Sequence, residues 1–282
     1  MLSLLLLKRF LYYLKCFTFR KASLQNAILY GNIYTMPKKI LVGTSGYTYP
    51  HWKNVFYPPD VPQPRWLEFY AQHFPIVELN VTFYRLPKKE TFQNWRTRTP
   101  KEFKFVIKGS RFITHIKKLR DCKKPLQLFC EHAQGLKNKL LCVLWQLPPS
   151  SKYDYQRLSR FIKLLTQYAP SLSQSFEFRD ASWFNESTYE LLQENKINLC
   201  IADSPSFPCY PVVTNNLLYL RFHGGKTLYG SEYSREELHH WAQRAKDLSK
   251  KIKLLLAFFN NDAHGFAIKN ARQFNVLLHE TL

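Results

Sequence analysis

The sequence predicts an α/β protein, a single (β/α)8 TIM-type barrel with a parallel eight-stranded sheet. Apolar runs of strand length alternate with helical patterns from Lys39 to the C-terminus, and such alternation implies parallel pairing through right-handed crossovers. Eight such units fill roughly the 250 residues that a barrel of this type takes. The apolar runs also end in polar groups: Glu78, Lys108, Gln146, Glu177 with Arg179, Asp203, Arg221 with His223, and Asn260 with Asp262. An open doubly wound sheet is the alternative, but Gly43-Thr44-Ser45-Gly46 after the first strand is not the G-x-G-x-x-G fingerprint.

Ile40 to Gly43 is a short apolar strand, and the stretch Arg65 to Phe74 places Trp66, Phe69, Tyr70 and Phe74 at helical spacing. The second strand, Ile76 to Asn80, is followed by a helix over Lys88 to Arg98, and the third, Phe103 to Lys108, by one over Pro125 to Gly135. The fourth, Leu140 to Leu147, stops at Pro148-Pro149, and Asp154 is placed to start the helix running to Ala169. A fifth strand, Ser175 to Arg179, precedes a helix from Glu186 to Asn195. The sixth, Asn198 to Ala202, leads into a Pro-rich loop, Ser204 to Pro211, and the seventh is Leu217 to Phe222. Ser234 caps a helix to about Ser249, the eighth strand is Lys253 to Phe259, and Ala263 to Leu282 closes the chain as a helix. Roughly eight helices therefore accompany eight strands.

Composition narrows the partners. The chain has 282 residues, 45% hydrophobic and 16% aromatic, ample for a packed core. Its 41 Lys and Arg against 20 Asp and Glu give +21, which favours polar or anionic small molecules, nucleic acid or an anionic surface. The lysines form no tract, so a solvated basic surface is the plainer reading. Six cysteines without a CxxC pair or ligand spacing argue against zinc or a disulfide framework and fit a reducing cytoplasm. No run is long enough for a transmembrane segment. Residues 1–35 carry five basic and no acidic residues, as a surface-seeking or transit segment does. The only methionines are Met1 and Met36, so we expect translation to begin at Met36, with 1–35 a leader outside the 36–282 fold. That fold then carries +16.

In such a barrel the loops after the strands form the binding mouth. Side chains alternate along a strand, so Glu78 and Asn80 share one face and Val77 and Leu79 the other. A charge packed under helices is costly, which turns Glu78 into the lumen. The same reasoning places Glu177 with Arg179, and Tyr219 with Arg221 and His223, on lumen rows. Glu78 and Glu177 lie three strands apart, a separation that suits an acid/base pair such as glycoside hydrolysis requires. Lys108 joins them as a catalytic candidate, and it or Arg221 also suits holding an anionic group. This reading expects both carboxylates to face a shared, solvent-open pocket. Its plain alternative is an ion-pair network that fills the lumen.

A divalent metal on Glu78, Glu177, Asp203, His223 and Asp262 is the other enzymatic reading. It lacks an H-E-x-x-H-like signature, and Lys108 and Arg221 compete for the carboxylates, so no cofactor is expected. Ser231 with a histidine has no G-x-S-x-G elbow. Gly224-Gly225-Lys226, after the seventh strand, fits either a backbone phosphate cradle or a tight turn.

The segments LVGTSGYTYPHWKNVFYP, VELNVTFYRLPKKETFQNWRTRTP, FKFVIKGSRFITHIKKL, QLPP, FEFRDASWF, CIADSP, YLRFHG and FFNNDAHGFAIKNA occur in this order. From about Lys39 onward the chain resembles the YecE-like proteins, the domain of unknown function numbered seventy-two. The resemblance implies a cytosolic TIM-type barrel, distantly similar to sugar isomerases and without a settled reaction. Its motif positions here are Thr44, Ser45, Glu78, Asn80, Tyr84, Arg85, Lys108, Arg111, His115, Gln146, Glu177, Arg179, Asp203, Arg221, His223, Asn261 and Asp262. The expected function is an enzyme acting on a sugar-like or phosphorylated molecule by carboxylate acid/base chemistry. The alternatives are a nucleic-acid-binding or nuclease barrel, with Tyr47, Tyr49, Trp52 and Tyr84 beside basic residues, and a ligand-binding protein without turnover.

Overall fold

A computed structural model describes residues 39–249 and 252–282. The expected leader and start at Met36 lie outside them.

Eight parallel strands close on themselves in the order β1 to β8: Lys39–Ser45, Ile76–Leu79, Lys104–Lys108, Leu140–Gln146, Ser173–Glu177, Asn198–Asp203, Leu217–Phe222 and Leu254–Phe259. β1 pairs with β8, which shuts the barrel and leaves no sheet edge. The helices of eight or more residues are α1 Trp66–His73, α2 Lys89–Thr97, α3 Lys123–Ala133, α4 Tyr155–Tyr168, α5 Glu186–Glu194, α6 Arg235–Leu248 and α7 Phe266–Thr281. The caps read from the sequence are in place. Asp154 accepts a hydrogen bond from the Arg157 amide at 2.9 Å, and Ser234 forms a reciprocal capping box with Glu237.

Seven such helices, not eight, are found among the described residues, because the crossover from β6 to β7 has none. Pro205, Pro208 and Pro211 fall within it, and each removes a helical donor. Thr214 secures the segment instead, its Oγ1 donating to the Ile197 carbonyl at 2.8 Å and accepting from the Leu199 amide at 2.9 Å. β5 also begins and ends two residues earlier than expected. After Glu177 the chain turns outward, as Asp180 caps a short 3-10 turn and Phe178 stacks on Trp183 at 4.6 Å.

Alternation sorts the apolar residues into two layers. Leu41, Ile76, Val106, Cys142, Leu144, Cys200, Leu217, Leu256 and Phe258 plug the lower lumen. Val77, Leu79, Phe105, Ile107, Trp145 and Phe176 face the helices. Fully burying a Val, Ile or Phe is worth roughly 1.5–3 kcal/mol each, so a one-residue slip that exchanged the two faces of any strand would be heavily penalised. Two close approaches need glycine. A Cβ on Gly43 would sit 2.2 Å from the Ile76 carbonyl oxygen, and one on Gly109 would sit 2.2 Å from the buried Trp145 ring.

Because Glu78 pairs in register with Val106, Lys108 stands two residues nearer the mouth than Glu78. A single-turn helix, Val81–Tyr84, follows β2, and a π-helical turn, Phe112–Ile116, follows β3. Both rise on the mouth side.

Candidate functional site

Above the apolar plug lies a buried charge cluster. Arg221, on β7, bridges the carboxylates at the ends of β2 and β5. Its Nη2 donates to Glu78 Oε1 at 2.7 Å, and its Nη1 donates to Glu177 Oε2. Tyr219 OH donates to Glu78 Oε2 at 2.5 Å, and Arg179 Nε donates to Glu177 Oε1 at 2.7 Å. His223 sits at 3.6 Å from that same oxygen. Asn260 Nδ2 lies 3.1 Å from His223 Nδ1, and Arg221 Nη1 lies 3.4 Å from His223 Nε2.

Burial pushes the Glu177 carboxyl up, but Arg221 and Arg179 outweigh it and hold it well below the usual carboxylate range. Burial lowers the Arg221 guanidinium, and Glu177 and Glu78 more than reverse this. His223 is lowered to about 4, by burial first and then by Arg221, and is neutral near pH 7.

Side-chain alternation thus places Glu78, Glu177, Arg221 and His223 together in the lumen as expected. The expectation of a solvent-open carboxylate pair is not met, because Glu78 and Glu177 are both 0% exposed. All four of their oxygens are engaged by Arg221, Arg179 or Tyr219, so neither has an oxygen free to take a substrate proton. The cluster is the ion-pair network that was the plain alternative. Its position one layer below Lys108 is the physical reason.

The space above it is a cavity of about 700 Å³, lined by Tyr49, Asn80, Tyr84, Trp95, Lys108, Tyr229, Asn260 and Asp262 among others. A second depression, of about 740 Å³, lies toward the strand starts around Lys89, Gln93 and Leu172 and contains no expected site residue. Lys108 is therefore the expected catalytic group that lines the mouth cavity. Its Nζ stands 4.3 Å over the Phe83 ring and has no hydrogen-bond or ion-pair partner among the described residues. Burial first, and then Arg221, lower its pKa to about 7. Asp262 is raised by burial, with His51 Nε2 3.8 Å from its carboxylate. His115, edge-on to Phe83 at 4.9 Å, is lowered to about 4 by burial and then by Lys108.

Asn80 Nδ2 donates to the Ser45 carbonyl at 3.2 Å, while its buried Oδ1 has no partner among the described residues. Ser45 and Gln146 share the lumen but are 1% and 3% exposed; Ser45 Oγ lies 3.5 Å from Arg221. Tyr84, Arg85 and Arg111 are exposed on the rim.

Several substrate-binding expectations are corrected. Thr44 is on the outer row of β1, where its hydroxyl meets Tyr70 of α1 at 2.9 Å. Asp203 shares the outer row of β6 with Leu199 and Ile201 and acts on the buried Tyr233 hydroxyl, which burial and that carboxylate push well up. Asn261 is wholly buried and ties Ser231 and Asn270 at 3.0 and 2.9 Å. The amides of Gly224 and Lys226 are taken by Tyr233 OH and Ser231 Oγ, both at 3.0 Å. The Gly224-Gly225-Lys226 segment is therefore a self-satisfied turn, and those two amides are not offered to a phosphate. Among the described residues no three His, Cys, Asp or Glu side chains converge as a metal set, since Asp203 faces away and Arg221 intervenes between Glu78 and Glu177.

Sequence reasoning missed Phe83, Trp95 and Tyr229 as cavity residues, and it named Asn260 only as a polar strand end. Asn260 was within reach of alternation, because it continues the lumen row of Leu256 and Phe258. Tyr229, which accepts from Arg179 Nη2 at 3.4 Å, arrives on a loop that has no period to read.

The family model described as "Protein of unknown function DUF72" matches residues 41–282. The chain is 28% identical over 254 residues to the UPF0759 protein YunF of Bacillus subtilis, covering 79% of this chain and 89% of that protein. It is 26% identical over 218 residues to the UPF0759 protein YecE of Escherichia coli, covering 66% and 78%. A crystal structure of a DUF72 family protein from Thermotoga maritima superposes with a TM-score of 0.76 at 32% identity, covering 86% of this chain and 99% of that one. Among the described residues no helix is long and apolar enough to cross a membrane.

Proposed function

The chain belongs to the DUF72 family, and from that premise we propose that its barrel mouth is the site of an enzyme that works on a polar small molecule through Lys108. The observation that carries this reading is the contrast between Lys108 and the two carboxylates. Glu78 and Glu177 are sealed and paired, whereas the Lys108 amine lines the cavity with no ion-pair partner among the described residues. Burial and Arg221 bring this amine down toward neutral pH, to about 7, where an acid/base group works best. The buried cluster is then a support that holds the floor of the site. Asn80, Asn260 and Asp262 offer hydrogen-bonding groups for hydroxyls, and Tyr84 and Trp95 offer apolar faces, a mixture that suits a sugar-like or phosphorylated substrate.

The test is a metabolite panel read by thermal shift and by loss of substrate in NMR. A polar metabolite is expected to raise the melting temperature of the native chain, and Lys108→Met is expected to keep binding while losing turnover. Turnover that survives in Lys108→Met refutes the role, and binding without turnover in the native protein favours a ligand-binding protein.

A second reading, binding of single-stranded nucleic acid, is supported by the rim beside the cavity. Tyr84 is 77% and Phe112 43% exposed, among Arg85, Arg111, Arg120, Lys123 and Lys124, all exposed. Aromatics among cations suit stacked bases and phosphates. Oligonucleotide binding that weakens steeply between low and moderate salt would support it, and salt-independent or absent binding would remove it.

A further inference from the structure

Lys108 is held more firmly than its long side chain suggests. Thr82 Oγ1 donates to its carbonyl at 2.6 Å, and the next amide, of Gly109, donates to the Leu144 carbonyl at 2.8 Å. Gly109 presses on the Trp145 ring with no room for a Cβ. The backbone that presents the amine is thus fixed on two sides, and the Phe83 ring covers the side chain at 4.3 Å.

A lysine in such a place usually serves as a counter-ion or as a filler. The counter-ion role is already taken. Glu78 is matched by Arg221 and Tyr219, and Glu177 by Arg179 and Arg221, so two carboxylates face two guanidiniums and the ammonium is one positive charge too many. As a filler, lysine is the costliest choice, since its charge must be desolvated. What remains is its chemistry as a fixed amine, 9% exposed and opening on a cavity.

We propose that Lys108 forms an imine with the aldehyde or ketone carbonyl of a substrate held in the mouth cavity. This rests on the small-molecule reading of the site and adds the functional group its substrate must carry. The free amine adds to the carbonyl carbon, forming the C–N bond and giving a carbinolamine. The carbinolamine oxygen then leaves as water, carrying the two protons that the nitrogen gives up, one of them relayed through solvent in the open cavity. The product is a C=N bond to Lys108, protonated to an iminium when the site takes up a proton. Burial and the neighbouring guanidiniums bring the amine to about 7, so the nucleophilic form is abundant where an ordinary lysine has almost none. Asn80, Asn260 and Asp262 around the same cavity suit hydroxyls beside the carbonyl, so the class is a small hydroxy-aldehyde or hydroxy-ketone.

The experiment treats the full chain with glycolaldehyde, glyceraldehyde or dihydroxyacetone in the presence of cyanoborohydride, followed by intact mass and peptide mapping. The expected result is one reduced adduct per chain on Lys108, formed at least tenfold faster than on any other lysine and absent from folded Lys108→Arg and Lys108→Met. A second measurement uses only the native protein: peptide-resolved labelling with an amine reagent should show Lys108 reacting half-maximally near pH 7. Adducts spread over surface lysines with Lys108 no faster than the rest, or a Lys108 that reacts only near pH 10, overturn the imine. If the metabolite panel finds a ligand without a carbonyl that is turned over in a Lys108-dependent way, the imine fails and the small-molecule reading stands. If neither adduct nor ligand is found, both fail.

Discussion

Replacing Lys108 by methionine should make the protein more stable, and the size of the gain follows from the charge balance around it. The groups facing its amine are Arg221, Glu177, Arg179 and Glu78, with His115 across the Phe83 ring. With two guanidiniums matching two carboxylates, the ammonium is a surplus charge in a buried place. Its pKa falls from an ordinary 10.5 to about 7, and at about 1.4 kcal/mol per unit this sets a ceiling of about 5 kcal/mol on the cost of keeping it at neutral pH. Relaxation and water in the cavity reduce that, so a gain of about 1–3 kcal/mol is expected from a methionine of similar length. Between pH 7 and 10.5 the unfolded chain holds a proton that the folded chain has released, so native stability rises with pH relative to the variant. Urea unfolding of both proteins at pH 6, 8 and 10 reads the difference, which should shrink as pH rises. A Lys108→Met that is less stable than the native protein at pH 6 would refute the reasoning, because it would make the lysine a needed counter-ion.

Arg221→Met removes the guanidinium shared by Glu78 and Glu177 and leaves two buried carboxylates; a loss of about 3–5 kcal/mol in urea unfolding is expected, and a loss below 1 would mean that the cluster is hydrated. His223 is lowered to about 4 by burial and Arg221, facing Glu177, Arg179 and Tyr229 as well. The unfolded chain takes up its proton below about 6.5, so this group's contribution is present above that pH and is lost as pH falls toward 4. His223→Gln should flatten the stability profile over that window, and an unchanged profile would assign the slope to other groups such as His115. Gly109→Ala drives a methyl into Trp145 and should cost about 1–3 kcal/mol, with altered tryptophan fluorescence; a neutral substitution would show that the ring has room to move.

The strand and helix pattern of this chain could be read because its barrel imposes one period on each element. Leu217–Phe222 has the bounds the sequence predicts, and Asp154 and Ser234 cap where their residue types say they should. The helix missing after β6 was signalled by three prolines, although counting repeats suggested eight. Alternation also sorted the site where it was applied, for Glu78, Glu177, Arg221 and His223. Thr44 and Asn261 were placed by motif membership and Asp203 as a polar strand end as well, and Thr44 and Asp203 lie on the rows of Val42 and Ile201, which face the helices. What one strand could not disclose is solvent access. Glu78 is sealed by Arg221, 143 residues away, and Glu177 by the same side chain, 44 residues away, so exposure depends on pairings across the lumen that no local pattern encodes.

Those pairings also bear on the order in which the barrel can assemble. β2 and β5 each bring a carboxylate inward, but the guanidinium that neutralises both arrives only with β7. A chain that has paired only β1 to β6 therefore holds two acids without their shared cation and without the part of the apolar plug that β7 and β8 bring, and it gains little from burying them. Contacts of such long sequence separation are entropically late. Arg221 thereby acts as a latch on cooperativity: the early and late parts of the chain become stable together, which disfavours a persistent half-barrel with open strand edges.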